Sequence, residues 1–465
     1  MDGLTLTQQA RWAAAVLFIL GVAYLWRLNK VMGQTPPGAV HASPYRWADH
    51  EIKETYKRTK AKAFDWTKHL PPKANRRYVV TGGSGGVGGQ IVLHLLARGE
   101  SPESIRIVDF REVERGDMKS GAATRVGFAQ ADITSPAATR AAFDKPWPSS
   151  VARLPLTVFH TAAIIIAGER TMGTYERVSR VNIDGTQNVL DAAKAAGATI
   201  FITTSSGSVA HRPAGYWGSP FRRWPRNFFQ LIDESDFDKP LVPHSQFFGN
   251  YAHTKAIAER IVCQTNSQNF RTGAIRPDNA IYGSSHNDQV VGQVLRRQGA
   301  QSWMPNIVQN FVHTGHVSIG HLKFEEALLR KEMPKCAGRP FLIADGGPPP
   351  TYGDMYHLCH LMAETPVKLT FLPPLPFLLL AHVVELVSIA SRTPVLGWII
   401  PEPKGTLAIL QPGVFHAALH YVATDKAAQQ SVEQGGLGFE HAITTLEGMC
   451  QQVLDWNNEH ASPGA

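Results

Sequence analysis

The 465-residue sequence predicts an α/β fold built on a doubly wound parallel sheet, with a smaller C-terminal part and an apolar N-terminal helix. Three observations predict it. A short β-like run, Tyr78-Val79-Val80, leads straight into the glycine-rich turn 81–89 and then into a helical stretch, 90–98. Further strand-like runs at 105–108, 126–130, 156–160 and 199–203 alternate with helical stretches such as 185–196. That alternation means βαβ units and a Rossmann-type sheet. Residues 12–26 are uncharged and apolar, bracketed by Arg11 and Arg27. With 43% hydrophobic and 18% charged residues, the chain has material for a large core and does not read as disordered.

In chain order, the apolar run comes first. It falls short of the ~20 residues a full span prefers. Snorkelling of Arg11 and Arg27, and tryptophans at both ends, extend it. Three readings stand: a signal anchor, a cleaved signal peptide with a site at Val40-His41-Ala42, and a buried core helix. The anchor is favoured, because Arg27, Lys30 and later basic residues outnumber the charge before the run and hold the body in the cytosol. Residues 34–43, rich in Gly and Pro, read as a flexible connection. Lys53, Lys57, Arg58, Lys60, Lys62, Lys68, Lys73, Arg76 and Arg77 concentrate the excess behind the net charge of +8. With no zinc-finger spacing and no basic-helix pattern, that stretch reads as membrane-facing or solvated rather than as a nucleic-acid surface. The expected organisation is a membrane anchor over 1–33, a basic linker over 34–75, a dinucleotide-binding domain with the catalytic residues over 76–345, and a C-terminal substrate- and membrane-associated region over 346–465.

The turn offers Gly82, Ser84, Gly85, Gly86, Val87 and Gly88 to a cofactor. Glycines at 82, 85 and 88 allow a tight turn, close backbone approach to a pyrophosphate, and close packing of helix on strand. A purely structural loop has the same composition, so context decides. The second strand ends at Asp109, whose carboxylate can hold the adenosine ribose hydroxyls and would repel the extra phosphate of NADP. NAD is therefore expected over NADP, with Arg111 nearby the one residue that favours the phosphate.

Tyr251 and Lys255 lie four apart on a predicted helix, one above the other on the same face. A free phenol near pKa ~10 is a poor base at neutral pH, and an adjacent ammonium lowers it. Such spacing is common on solvated helix faces. Here it follows the hydroxyl cluster Thr203-Thr204-Ser205-Ser206 at the end of a predicted strand, where parallel sheets bind ligands. Ser206 can fix a substrate oxygen there. Its other reading is a turn or cap hydroxyl.

These motifs together resemble an extended short-chain dehydrogenase/reductase, and more narrowly the 3β-hydroxysteroid dehydrogenase and sterol-4α-carboxylate 3-dehydrogenase group. The resemblance runs over roughly residues 77–458 and includes Ala131-Asp132-Ile133, the run 159–163 (FHTAA), the run 181–189 (VNIDGTQNV), YAHTK at 251–255, Ile275-Arg276-Pro277, Ile281-Tyr282-Gly283 and Phe311-Val312-His313. It implies Asp132 and Ile133 near the adenine, Ala162 and Ala163 along the cofactor, Pro277 by the nicotinamide, and Asn182 supporting the active-site water and helix geometry. Ser206 matches the substrate-binding serine better than Ser205. It also implies oxidation of a 3β-hydroxyl on a sterol or triterpenoid-like lipid, with loss of a C4 carboxylate where one is present. The expected setting is the endoplasmic reticulum membrane, and a homodimer is compatible. Other readings are a reductase or epimerase on another small molecule and a non-catalytic cofactor-binding scaffold.

Two segments depart from a simple reading. The insertion 212–243, with Tyr216, Trp217, Phe221, Trp224, Phe228 and Phe229, is a substrate lid, a membrane contact, or a surface loop with its own aromatic cluster. Residues 371–400 contain an apolar stretch, 377–390, interrupted by Glu385. It reads as a membrane-dipping helix, a channel wall or a core helix. The four cysteines are far apart and there is no Asn-x-Ser/Thr sequon, which suits a reducing compartment. The nineteen histidines show no HExxH or paired-ligand spacing, so no metal site is expected.

Overall fold

The computed structural model describes residues 6–283 and 288–460. The chain opens with α1 (Leu6–Met32), 27 residues long, and among the described residues only this helix region is long and apolar enough to cross a membrane by length and composition. Its exposed apolar half carries Trp12, Leu17, Phe18 and Ile19, whereas Leu28 and Met32 at its far end are buried against the body. The next segment is not the flexible connection expected over 34–43. Residues Pro37–Ala42 form a helical turn, started by a proline whose fixed φ suits the first turn, and Ala39 within it is fully buried. Helix α2 (Asp49–Ala61), from the basic stretch, packs its buried Ile52 against the C-terminal end of the chain.

The central sheet has seven parallel strands: β1 (Arg77–Thr81), β2 (Ile105–Asp109), β3 (Gly127–Gln130), β4 (Leu156–His160), β5 (Ala198–Thr204), β6 (Arg271–Pro277) and β7 (Pro340–Ile343). Their order in space is β7-β6-β5-β4-β1-β2-β3. The direction of strand order reverses between β1 and β4, which opens a crevice at the carboxyl ends of those two strands. Helices α3 (Gly86–Ala97), α4 (Pro136–Asp144), α5 (Gly185–Ala195), α6 (Asn250–Gln264) and α7 (Thr314–Leu328) flank the sheet. Alternation along each strand sends Tyr78, Val80, Ile107 and Ile202 to the face covered by α3 and α7. Val79, Val108, Val158 and Phe201 go to the face covered by α4, α5 and α6. Both faces are apolar because both are covered.

The insertion is not a loop with an aromatic cluster of its own. Its Phe229–Ile232 pairs in parallel with His420–Ala423, and Tyr216 and Phe228 share a buried cluster with Leu28 and Met32 of α1. The same cluster includes Leu375, Leu378 and Phe415. Helix α8 (Pro374–Ala390) buries Leu375, Leu378, Ala381 and Val384. Its other face leaves Leu379, Leu380, Val383, Leu386 and Ile389 exposed, so it is not a plain core helix. Helix α9 (Thr445–His460) closes the C-terminal part, with Asn457 donating to the Tyr56 hydroxyl of α2 at 2.9 Å.

Candidate active site

The turn after β1 has no room for a side chain at Gly82 or Gly88. Gly82 adopts φ +72°, and a Cβ there would lie 2.7 Å from the Ala162 nitrogen. A Cβ on Gly88 would lie 2.4 Å from the Gly82 carbonyl and 2.6 Å from Thr161 Oγ1. Gly85 N–H donates to the Gly82 carbonyl at 3.0 Å, and Gly86 starts α3. The result is a concave backbone surface at a helix N-terminus, which suits a pyrophosphate. At the end of β2, Asp109 accepts from Ser84 N–H at 3.1 Å and from Arg111 N–H at 3.2 Å. Its carboxylate thus borders the turn, and the residues present fit a dinucleotide.

Arg115 was not legible in the sequence. Its guanidinium is buried, donates to the Gly85 and Gly86 carbonyls at 3.1 and 2.7 Å, and pairs with Asp117 at 2.6 Å. It holds the glycine turn from behind, and no local motif announces it.

On the adenine side, Asp132 caps its own turn through Thr134 N–H at 2.9 Å, and the Ile133 carbonyl accepts from Asn188 at 2.9 Å. A Cβ on Gly185 would press into the Ile133 side chain at 2.8 Å, so the glycine of the 181–189 motif lets α5 approach. Ala162 and Ala163 follow β4 directly. Below them His160 bridges Thr81 at 2.7 Å and Thr186 at 3.0 Å, and full burial pushes its imidazole down to about 3. It is a neutral structural bridge.

Helix α6 carries the Tyr251/Lys255 pair in its first turns. Asn182, almost wholly buried in a π-helical turn, accepts from Ile164 N–H at 2.9 Å and donates to the Thr254 hydroxyl at 3.1 Å. Thr254 in turn donates to the Tyr251 carbonyl at 2.9 Å, so Asn182 ties the loop after β4 to the helix that bears Tyr251. Ser206, just past β5, sits by Tyr251, and their hydrogen bond partly offsets the burial that pushes the phenol up to about 12. Ser206 also accepts from Ser208 N–H at 3.2 Å, so the cap role is real alongside. Among the described residues the buried Ser205 hydroxyl has no partner, and the Ser205 N–H donates to the Ile275 carbonyl at 2.6 Å. Pro277 ends β6 beside Ile343 of β7.

Lys255 reaches the end of β5, two residues before Ser206. Its ammonium donates to the Thr204 carbonyl at 2.5 Å, and burial pushes it down to about 8, with Glu259 opposing the shift. The groups acting on Tyr251 are its burial and Ser206. Ser206, Tyr251 and Lys255 thus meet at the end of β5, and Asn182 ties their helix to the loop after β4.

A profile of the 3-beta hydroxysteroid dehydrogenase/isomerase family matches residues 79–373. The chain belongs to this family. The family places it among NAD(P)-dependent oxidoreductases. The human 3 beta-hydroxysteroid dehydrogenase type 7 is 27% identical over 402 residues, covering 81% of this chain and 94% of the relative. A 3 beta-hydroxysteroid dehydrogenase/Delta 5-->4-isomerase of Mycobacterium tuberculosis is 32% identical, with 53% of this chain and 60% of the relative covered. The short-chain dehydrogenase/reductase family 42E member 1 of Xenopus laevis is 24% identical, with 59% and 65% covered. The match therefore spans slightly less than two thirds of that relative's length. Among solved structures, a UDP-glucose 4-epimerase of Thermus thermophilus in complex with NAD is 18% identical and superimposes with a TM-score of 0.54. The superposition covers 83% of this chain and 100% of that one. At that identity the likeness supports the fold.

Proposed function

We propose that this family member oxidises the 3β-hydroxyl of a sterol or triterpenoid-like lipid, with NAD as hydride acceptor. The observation that supports the reading is the Ser206–Tyr251 hydrogen bond beside the Lys255 ammonium on the Thr204 carbonyl, all at the carboxyl end of β5. NAD supplies the acceptor when bound on Gly82, Ser84, Gly85, Gly86, Val87 and Gly88, with Asp109 on the ribose, Asp132 and Ile133 by the adenine, and Ala162, Ala163 and Pro277 along its length. Ser206 holds the substrate oxygen and Tyr251 takes its proton. Base action at neutral pH requires the phenol to fall well below the value of about 12 that burial imposes. The reading assigns that role to the Lys255 charge, held at the Thr204 carbonyl, and leaves Asn182 to keep the helix in place. Where the substrate carries a C4 carboxylate, the new 3-ketone makes a β-keto acid, which loses carbon dioxide without further catalytic groups.

The lipid character of the substrate is supported by α1 and by the exposed apolar face of α8. We read α1 as an anchor in the endoplasmic reticulum membrane, with the body in the cytosol. The human type 7 relative, matched over nearly its whole length, supports the sterol reading.

The test is NAD reduction by the full chain with a panel of 3β-hydroxysterols and 4-carboxysterols, with products identified by mass spectrometry. The expected product is the 3-ketone. Tyr251→Phe is expected to lower turnover by roughly 10²–10⁴-fold while NAD still binds. Undiminished activity of that variant would overturn the assignment.

A further inference from the structure

Where α1 leaves its apolar stretch, it meets the insertion around a cavity of about 230 Å³. Tyr24, Arg27, Arg222, Arg223, Trp224 and Arg226 line it, and among the described residues the lining holds no carboxylate. Tyr24 donates to the Gly218 carbonyl at 3.1 Å, and Arg27 donates to the carbonyls of Pro220 and Arg222, so the wall is fastened to the helix. Four arginines line one cavity to which the described residues bring no carboxylate, a setting that favours an anion, and guanidinium is the side chain best matched to phosphate oxygens.

The height of the cavity says which anion. Arg11 and Arg27 bracket the apolar run, and the helical rise between them is about 24 Å, so the cavity sits at the edge of the hydrocarbon layer. Beside it Phe221 is 94% exposed, while Trp217, 48% exposed, donates to His382 of α8 at 3.1 Å. Trp26, also exposed, marks the same level. We propose that this cavity binds the phosphate headgroup of an anionic phospholipid, seated on Arg222, Arg223 and Arg226 with Arg27 closing the helix side. The headgroup fixes the insertion, and with it the C-terminal strand His420–Ala423 that pairs with Phe229–Ile232, against the bilayer surface.

The inference rests on reading α1 as a membrane anchor. Native mass spectrometry of the full chain in mild detergent, given phosphatidylglycerol or phosphatidylcholine at equal concentration, counts retained lipid. Preferential retention of phosphatidylglycerol is expected. In Arg222→Glu/Arg223→Glu/Arg226→Glu it should fall roughly tenfold or more, and the corresponding triple lysine variant should keep it. NAD binding should be unchanged in both. Should the charge reversal not fold, Arg223→Gln read the same way serves. Equal retention of both lipids, or retention indifferent to the substitutions, overturns the proposal. Displacement of phosphatidylglycerol by inorganic phosphate at equal concentration marks a soluble-anion site and also overturns it. Carbonate-resistant membrane retention of the same variants tests the anchor separately, so loss of the lipid preference with that retention intact overturns the headgroup site alone.

Discussion

Lys255 shows how far a four-residue spacing can be trusted. The sequence places its ammonium on the same face as Tyr251. The fold adds what spacing cannot give: it sets the ammonium on the Thr204 carbonyl and buries it, which pushes its pKa down to about 8. Because the folded value lies below the ordinary lysine range, the folded chain bears the full penalty at pH values below about 8, where both states are protonated. Between there and about pH 10.4 the unfolded chain still holds the proton and the folded chain does not, so stability rises with pH. Lys255→Met lacks this titration. Thermal melts are expected to show wild type gaining on the variant by about 3 kcal/mol across that window, with no such gain below it. A pH-independent difference would mean the lysine is charged throughout. Gly88→Ala is the matching change in the glycine turn. Its methyl would meet the Gly82 carbonyl at 2.4 Å, and NAD binding by calorimetry should be lost while the fold survives. The Gly82, Gly85 and Gly88 positions and Asp109 were legible because a tight turn between strand and helix leaves a local signature. Arg115 was not, because its partners are carbonyls 29 and 30 residues away.

At the scale of elements, α6 is held where it can work by a buried charge cluster. Arg276 of β6, 1% exposed, makes two bonds of 2.8 and 2.6 Å to Glu259, one turn beyond Lys255. It makes two more, of 2.6 and 3.1 Å, to Asp236 of the insertion. Glu259→Gln leaves the guanidinium short of one counter-charge in the interior and should cost about 3–5 kcal/mol in chemical denaturation. A loss under about 1 kcal/mol would show that Asp236 alone suffices. The strands β1, β2, β3, β4 and β5 were readable from their apolar runs and glycine punctuation. Strands β6 and β7 were not read as strands. In β6, Gly273 and the charged Arg276 break the apolar run, and only the neighbours explain them. The Phe324 ring lies where a Cβ on Gly273 would stand, 2.0 Å away, and Glu259 and Asp236 neutralise Arg276.

For the whole molecule, the insertion, α1 and α8 converge on one side through a single buried cluster. Glu385, which interrupts the apolar run of α8, is paired with Arg170 at 2.8 and 2.9 Å, so the charge faces the body while the outer face stays apolar. Val383→Lys/Leu386→Lys on that outer face should lower turnover of a sterol presented in vesicles several-fold. Turnover of the same sterol delivered in detergent should not change. Equal losses in both assays would mean that α8 packs against protein.

By itself the sequence determined the βαβ order, the dinucleotide turn, the Tyr251/Lys255 helix and the apolar entry segment, because each is written in residues close together in the chain. The carbonyl that Lys255 meets, the docking of 212–243 under α1, the helical turn that buries Ala39 and the two-faced character of α8 were decided by the tertiary structure. Each depends on which distant surface the segment meets, and a linear pattern holds no record of that.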